Sequence, residues 1–199
     1  STSGDRILLW FDLLNGDKDK IPMGSETSLS ESPIFEVNAV GAFKQNPGCP
    51  EFSLNSLDPD RLEKLCGGEC YNPSDERKLI SRIEIIRILP QTSANEDVGQ
   101  LIQDPWKTFV CDPDETGCTF KFQDDEFISL DREAVYYARA IQESSDTINA
   151  NNLRCEYDEN GICIKINPCY GDYKTSKTDD CLAPSEERAW SSPIFINKL

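Results

Sequence analysis

EAVYYARAIQ, residues 133–142, is the stretch on which the fold class turns. Ala, Glu, Arg and Gln all favour a helix by propensity. Val135, Tyr137 and Ile141 nevertheless share a face at period two, the spacing of a half-buried strand. A strand here agrees with the apolar runs around it. Residues 6–14 (RILLWFDLL) end at Asn15-Gly16, and residues 34–43 follow Ser32-Pro33 with Phe35, Val37 and Ala39 on one face. Residues 82–89 hold four isoleucines and stop at Pro90, which suits a buried strand better than a helix. Residues 119–123 and 191–197 continue the series. Residues 153–157 and 162–166 flank Asp158-Glu159-Asn160-Gly161, a hairpin in which Asn160 and Gly161 tolerate positive φ and Cys155 faces Cys163. A single helix is signalled by Asp58 as N-cap, Pro59 at its first position, Leu62 and Leu65 on one side, and Gly67-Gly68 past its end.

These elements predict an all-β, mainly antiparallel fold, a β-sandwich of about eight strands with one short helix. Long disulfide-tied loops are expected at 16–32, 90–106 and 168–188. The 199 residues are 38% hydrophobic, enough for one domain spanning 1–199.

Charge and composition narrow the function classes. Twenty basic residues stand against 36 acidic ones, a formal net charge of -16, which repels phosphate backbones and anionic lipid. Nucleic acid is therefore not an expected partner. No run approaches the roughly 18 apolar residues of a membrane span. Histidine is absent, which removes the commonest general base, triad member and zinc ligand. Nothing at Ser1 resembles a signal peptide or an initiator Met, so the chain reads as a processed or excised piece.

Nine cysteines, at positions 49, 66, 70, 111, 118, 155, 163, 169 and 181, cluster in polar, turn-rich segments, a pattern of disulfides in an oxidising compartment. Cys111–Cys118, Cys155–Cys163 and Cys169–Cys181 each bracket a loop that a bridge could close. Cys49, Cys66 and Cys70 then supply one further bridge and one unpaired thiol. A zinc site built from these three lacks an obvious fourth ligand. No N-glycosylation sequon is present, in keeping with a bacterial periplasmic or secreted product.

Other constellations are weaker. Residues 15–19 and 112–115 space oxygens alternately, as calcium loops do, but lack the Gly and terminal Glu of an EF-hand loop. A serine nucleophile without His would need a Ser-x-x-Lys arrangement, and none occurs. Asp124-Asp125-Glu126 reads as a solvated acidic turn; a glycosidase would need such groups facing one another across a cleft. Trp10, Trp106 and Trp190 could stack on sugars, although core packing is the commoner fate of scattered tryptophans.

The closing run Glu187-Arg188-Ala189-Trp190-Ser191-Ser192-Pro193-Ile194-Phe195-Ile196 resembles the last strand of proteins related to the polymerase and histidinol phosphatase (PHP) superfamily, in particular a large bacterial family known as a domain of unknown function. Residues 2–7, 21–25, 47–50, 66–73, 104–106 and 152–155 resemble the same family, so the likeness runs through nearly the whole chain. It implies a C-terminal β domain that follows a catalytic half, with the His and Asp metal ligands of that half lying before Ser1. The parent protein would be a periplasmic or secreted metal-dependent hydrolase, with phosphate or related esters as its substrate class. The partner implied is the upstream catalytic domain of the same protein. No catalytic, cofactor-binding or metal-binding residue carries over to this chain, and no cofactor is expected in it. The alternatives are a stand-alone extracellular module that holds a glycan or a protein, with calcium as an optional partner, and an enzyme whose carboxylates alone bind a metal.

Overall fold

The computed structural model describes residues 1–16, 19–66, 71–150, 155–169 and 181–199, and the account below concerns these. They form fourteen strands and four short helices in an all-β, mainly antiparallel arrangement. Residues 134–142 lie in the longest strand. The strands are β1 (Leu8–Asn15), β2 (Asp19–Pro22), β3 (Glu26–Leu29), β4 (Ile34–Val40), β5 (Phe43–Pro47), β6 (Tyr71–Arg77), β7 (Ile80–Ile88), β8 (Ile102–Val110), β9 (Cys118–Gln123), β10 (Ala134–Ile148), β11 (Cys155–Tyr157), β12 (Cys163–Ile166), β13 (Leu182–Trp190) and β14 (Ile194–Lys198). The helices are α1 (Glu51–Ser56), α2 (Pro59–Cys66), α3 (Val98–Leu101) and α4 (Phe127–Leu130). At α2 the Asp58 carboxylate accepts from the amides of Asp60 and Arg61, as an N-cap should.

Two sheets carry the core. One has the order β2-β1-β4-β9; the other runs β3-β14-β10-β7-β8, with β13 also paired to β10. All these pairs are antiparallel except β14 with β3. Alternation along each strand sends one face inward. Phe11 and Leu13 on β1, Phe35, Val37 and Ala39 on β4, and Phe122 on β9 meet Ile83 and Ile85 on β7, Tyr136 and Ala138 on β10, and Ile194 and Ile196 on β14. Phe35 stands at the centre of an aromatic stack, 5.2 Å from the Phe11 ring, 5.3 Å from Phe122 and 4.7 Å from Tyr136. The face of β10 that enters this core is Ala134, Tyr136, Ala138 and Ala140. The bulkier Val135, Tyr137 and Ile141 lie on the opposite face. Small residues at three of the four core positions leave room for the facing rings.

Segments expected as loops contain strands. Residues 16–32 hold β2 and β3, residues 90–106 hold α3 and the start of β8, and residues 168–188 hold most of β13. The expected strand over 34–43 breaks at Gly41. A side chain there would place its Cβ 1.8 Å from the Lys78 carbonyl oxygen, so only glycine lets the β5–β6 arm approach this closely. The last strand is interrupted by Ser191, Ser192 and Pro193, so β13 and β14 take turns along the same edge of β10. Ser191 seals the break, its amide donating to the Ala138 carbonyl and its hydroxyl accepting from the Ala138 amide.

Phe35→Ala should lower unfolding free energy in urea by about 3–5 kcal/mol, because three rings lose a shared partner. Val110→Ala, at a site 78% exposed, should stay within about 0.5 kcal/mol.

Candidate functional site

Three disulfides pair as spacing predicted: Cys111–Cys118, Cys155–Cys163 and Cys169–Cys181, with Cα separations of 5.9, 5.8 and 6.0 Å. They mark a chain of an oxidising compartment. Cys155 does not sit opposite Cys163; it pairs in register with Ile166, and Cys163 with Tyr157, so that bridge runs diagonally across the hairpin. In the hairpin turn Gly161 alone takes positive φ, and the Asp158 carboxylate accepts from the amides of Asn160 and Ile162. Cys49 is also disulfide-bonded. Cys70 and the side chain of Cys66 lie outside the described residues, as do Asp17 and Lys18 of the first calcium-like run. In the second run, Asp114 turns its carboxylate onto the amide and hydroxyl of Thr116, which holds its pKa below the usual carboxylate value. Among the described residues no three His, Cys, Asp or Glu side chains converge as a metal site would require.

The acidic turn at 124–126 departs most from its expected role. Asp124 is fully buried. Both of its oxygens accept from Arg87 Nη1, at 2.9 and 2.8 Å; Oδ2 also accepts from the Tyr136 hydroxyl at 2.6 Å and Oδ1 from the Glu126 amide at 3.0 Å. Four acceptances use the full capacity of a carboxylate. Arg87, itself 2% exposed, donates Nε to Gln103 at 2.6 Å and Nη2 to Glu126 at 2.6 Å, and its guanidinium lies 4.4 Å from the Trp106 ring centre. Burial works against the charge on Arg87, but the hydrogen bonds to Asp124 and Glu126 outweigh it and raise its pKa. Burial and the bond to Asp124 push the Tyr136 phenol far above its ordinary range. Neither Arg87 nor Tyr136 is poised to exchange a proton near neutral pH.

Arg87, Tyr136, Gln103 and Trp106 belong to the larger sheet, whereas Asp124 follows β9 of the smaller one. The cluster is therefore a bond between sheets. A signal for it was present in the sequence: Arg87 continues the inward series Ile83 and Ile85, and Asp124 continues Phe120 and Phe122.

A second ionic chain crosses the outer face of the larger sheet. Arg82 on β7 reaches across β10 to Glu186 on β13 through two bonds of 2.8 and 2.9 Å, and also holds Glu84. Arg139 on β10 joins Glu84 to Asp104. Burial alone would raise the Glu84 pKa, but Arg82 and Arg139 reverse this and lower it; Arg82 likewise lowers Glu186.

The three tryptophans do not form one platform. Trp106 packs on Tyr136 and Phe122 within the core, and Trp190 ends β13 beside a groove of about 630 Å³. Trp10 is 46% exposed on the outer face of the smaller sheet, where Asp12, Lys20, Glu36, Asn38 and Thr119 surround a shallow hollow of about 320 Å³. Glu36 bonds Lys20 and pairs with Lys121 at 3.1 Å, and both contacts lower its pKa. Two carboxylates and two ammonium groups balance one another beside the indole.

Compared with known proteins, the chain matches no protein-family model, no curated protein and no solved structure.

Because the folded pKa values of Glu84 and Glu186 lie below the ordinary 4.5, their contribution is complete above that pH and is lost as pH falls through the folded values. Acid unfolding followed by circular dichroism should show a shallower dependence below pH 4.5 in Glu84→Gln than in the parent chain.

Proposed function

We propose that this chain is the non-catalytic C-terminal β domain of a periplasmic or secreted, bacterial PHP-like metal-dependent hydrolase, supporting or lining an upstream catalytic domain. The observation that carries this reading is that the buried polar side chains are engaged with one another. Among the described residues Asp124 and Tyr136 are the fully buried titratable side chains, and with Arg87 each is committed to holding the two sheets together. The resemblance of residues 187–196 and of the earlier segments to the PHP-related family supports the choice of parent, and the disulfides support a periplasmic or secreted compartment.

The purified chain, supplied with Mn²⁺ or Zn²⁺, should retain no stoichiometric metal and release no product from p-nitrophenyl phosphate. Its coding region should continue upstream into a segment rich in His and Asp. Stoichiometric transition metal with metal-dependent turnover by residues 1–199 alone would overturn the reading.

The Trp10 face favours a second reading, a glycan-binding module. An exposed indole offers an apolar ring face to a sugar, and the charge-balanced, hydrogen-bonding side chains around it suit a neutral polymer better than an ionic one. A glycan array run with and without chelator should then show chelator-insensitive binding that Trp10→Ala abolishes. Binding unchanged in that variant would reject this surface.

A further inference from the structure

Arg77 differs from every other partly or fully buried arginine among the described residues. Arg82, Arg87, Arg132 and Arg139 each hold at least one carboxylate. Arg77, at the end of β6, holds none, although the chain carries 36 acids. Its guanidinium is nevertheless fixed: it lies 3.7 Å from the Phe43 ring centre, and Nη1 donates to the Gly41 carbonyl at 2.7 Å. Those two contacts leave Nε and Nη2 without a partner among the described residues. Stacking on an aromatic face and a backbone anchor together remove the freedom that an arginine would otherwise lose on binding.

The guanidinium borders a pocket of about 540 Å³. Arg6, also free of any carboxylate among the described residues, lines it as well, and Leu8, Phe43 and Pro73 supply apolar wall. The acid in the lining, Asp5, is already neutralised: its Oδ2 accepts from Lys78 Nζ and from Gln142 Nε2, both at 2.6 Å. Gln142 is itself fully buried and locked, its Oε1 accepting from the Ala42 amide at 2.9 Å. The pocket thus gathers two unpaired guanidinium groups in a strongly acidic protein, with its own carboxylate turned to other partners.

We infer that this pocket binds a small organic anion, a carboxylate or phosphate carried on an apolar body, with Arg77 as the fixed anchor for the oxyanion, Arg6 as the second charge and Phe43, Leu8 and Pro73 as the apolar seat. Arginine suits this role because its planar fork matches both oxyanions. The inference stands apart from the PHP reading and would hold whether or not an upstream domain exists.

The test uses the full 199-residue chain, isotopically labelled for NMR, titrated with phenyl phosphate, benzoate and phenol to about 20 mM. Saturable shifts of the Gly41, Ala42 and Arg77 amides by phenyl phosphate, by benzoate or by both support the site, and the tighter ligand names its anion. Phenol should leave those amides unmoved. Arg6→Ala, at an exposed position, should weaken binding a few-fold without altering the spectrum elsewhere. Arg77→Ala should weaken it by about tenfold or more, given the strength of charge-assisted hydrogen bonds. Arg77→Lys, which keeps the charge but loses the fork and much of the stacking, should fall between parent and Ala variant. No saturable shift by either anion, equal shifts with phenol, or undiminished affinity in both Arg6→Ala and Arg77→Lys would overturn the inference.

Discussion

The Arg87–Asp124 pair is the constraint around which the sandwich is organised. It joins a strand of the larger sheet to the residue that follows the last strand of the smaller one, and it does so with both partners out of solvent. Two charges removed from water are tolerated only when every donor and acceptor is matched. Here Tyr136, Gln103 and Glu126 add further partners, and the Trp106 ring packs against the guanidinium. The Asp124 amide adds a bond to the Pro33 carbonyl just ahead of β4, so one residue ties two strands of its own sheet to the facing one. An apolar interface alone would let the sheets slide. This network specifies one alignment of Phe35, Phe122 and Tyr136, and with it the rest of the core.

That economy bears on function. Asp124, Arg87 and Tyr136 bond to one another in the interior, whereas Arg6 and Arg77, which hold no carboxylate among the described residues, lie at the surface of a pocket. The Trp10 face and the Arg77 pocket share no lining residue, one a shallow, charge-balanced hollow and the other a larger cationic one. In the proposed reading, such a domain adds binding and support to chemistry performed upstream. Such a division of labour is the one that the resemblance to PHP-related proteins implies.

Much of this was legible in the sequence. Strands β1, β4, β7, β9 and β10, the Asp58 cap and three disulfides follow from period-two alternation, turn residues and cysteine spacing. What escaped notice has physical causes. β13 (LAPSEERAW) contains Pro184 and three consecutive charged residues, and only Ala183 and Ala189 of it are buried, so it has little hydrophobic signal; pairing with β10 makes it a strand. β8 begins inside a polar run and carries Pro105, accommodated by an irregular register against β7. On β10 the outer face carries Val135, Tyr137 and Ile141, because Tyr136 and the facing aromatics fill the core and leave its other positions room for little beyond alanine. Asp124 was read as solvated because two further acids follow it. Its place in the alternation after Phe120 and Phe122, matched by Arg87 after Ile83 and Ile85, is what sends it inward.

The claim that the buried charges serve to join the sheets is tested most directly by a double-mutant cycle in urea with Arg87→Met, Asp124→Ala and the two combined. The account predicts a loss of about 3–5 kcal/mol for each single change. It also predicts a double variant less destabilised than their sum, with a coupling of about 2–3 kcal/mol. Single losses below about 1 kcal/mol that simply add would contradict it.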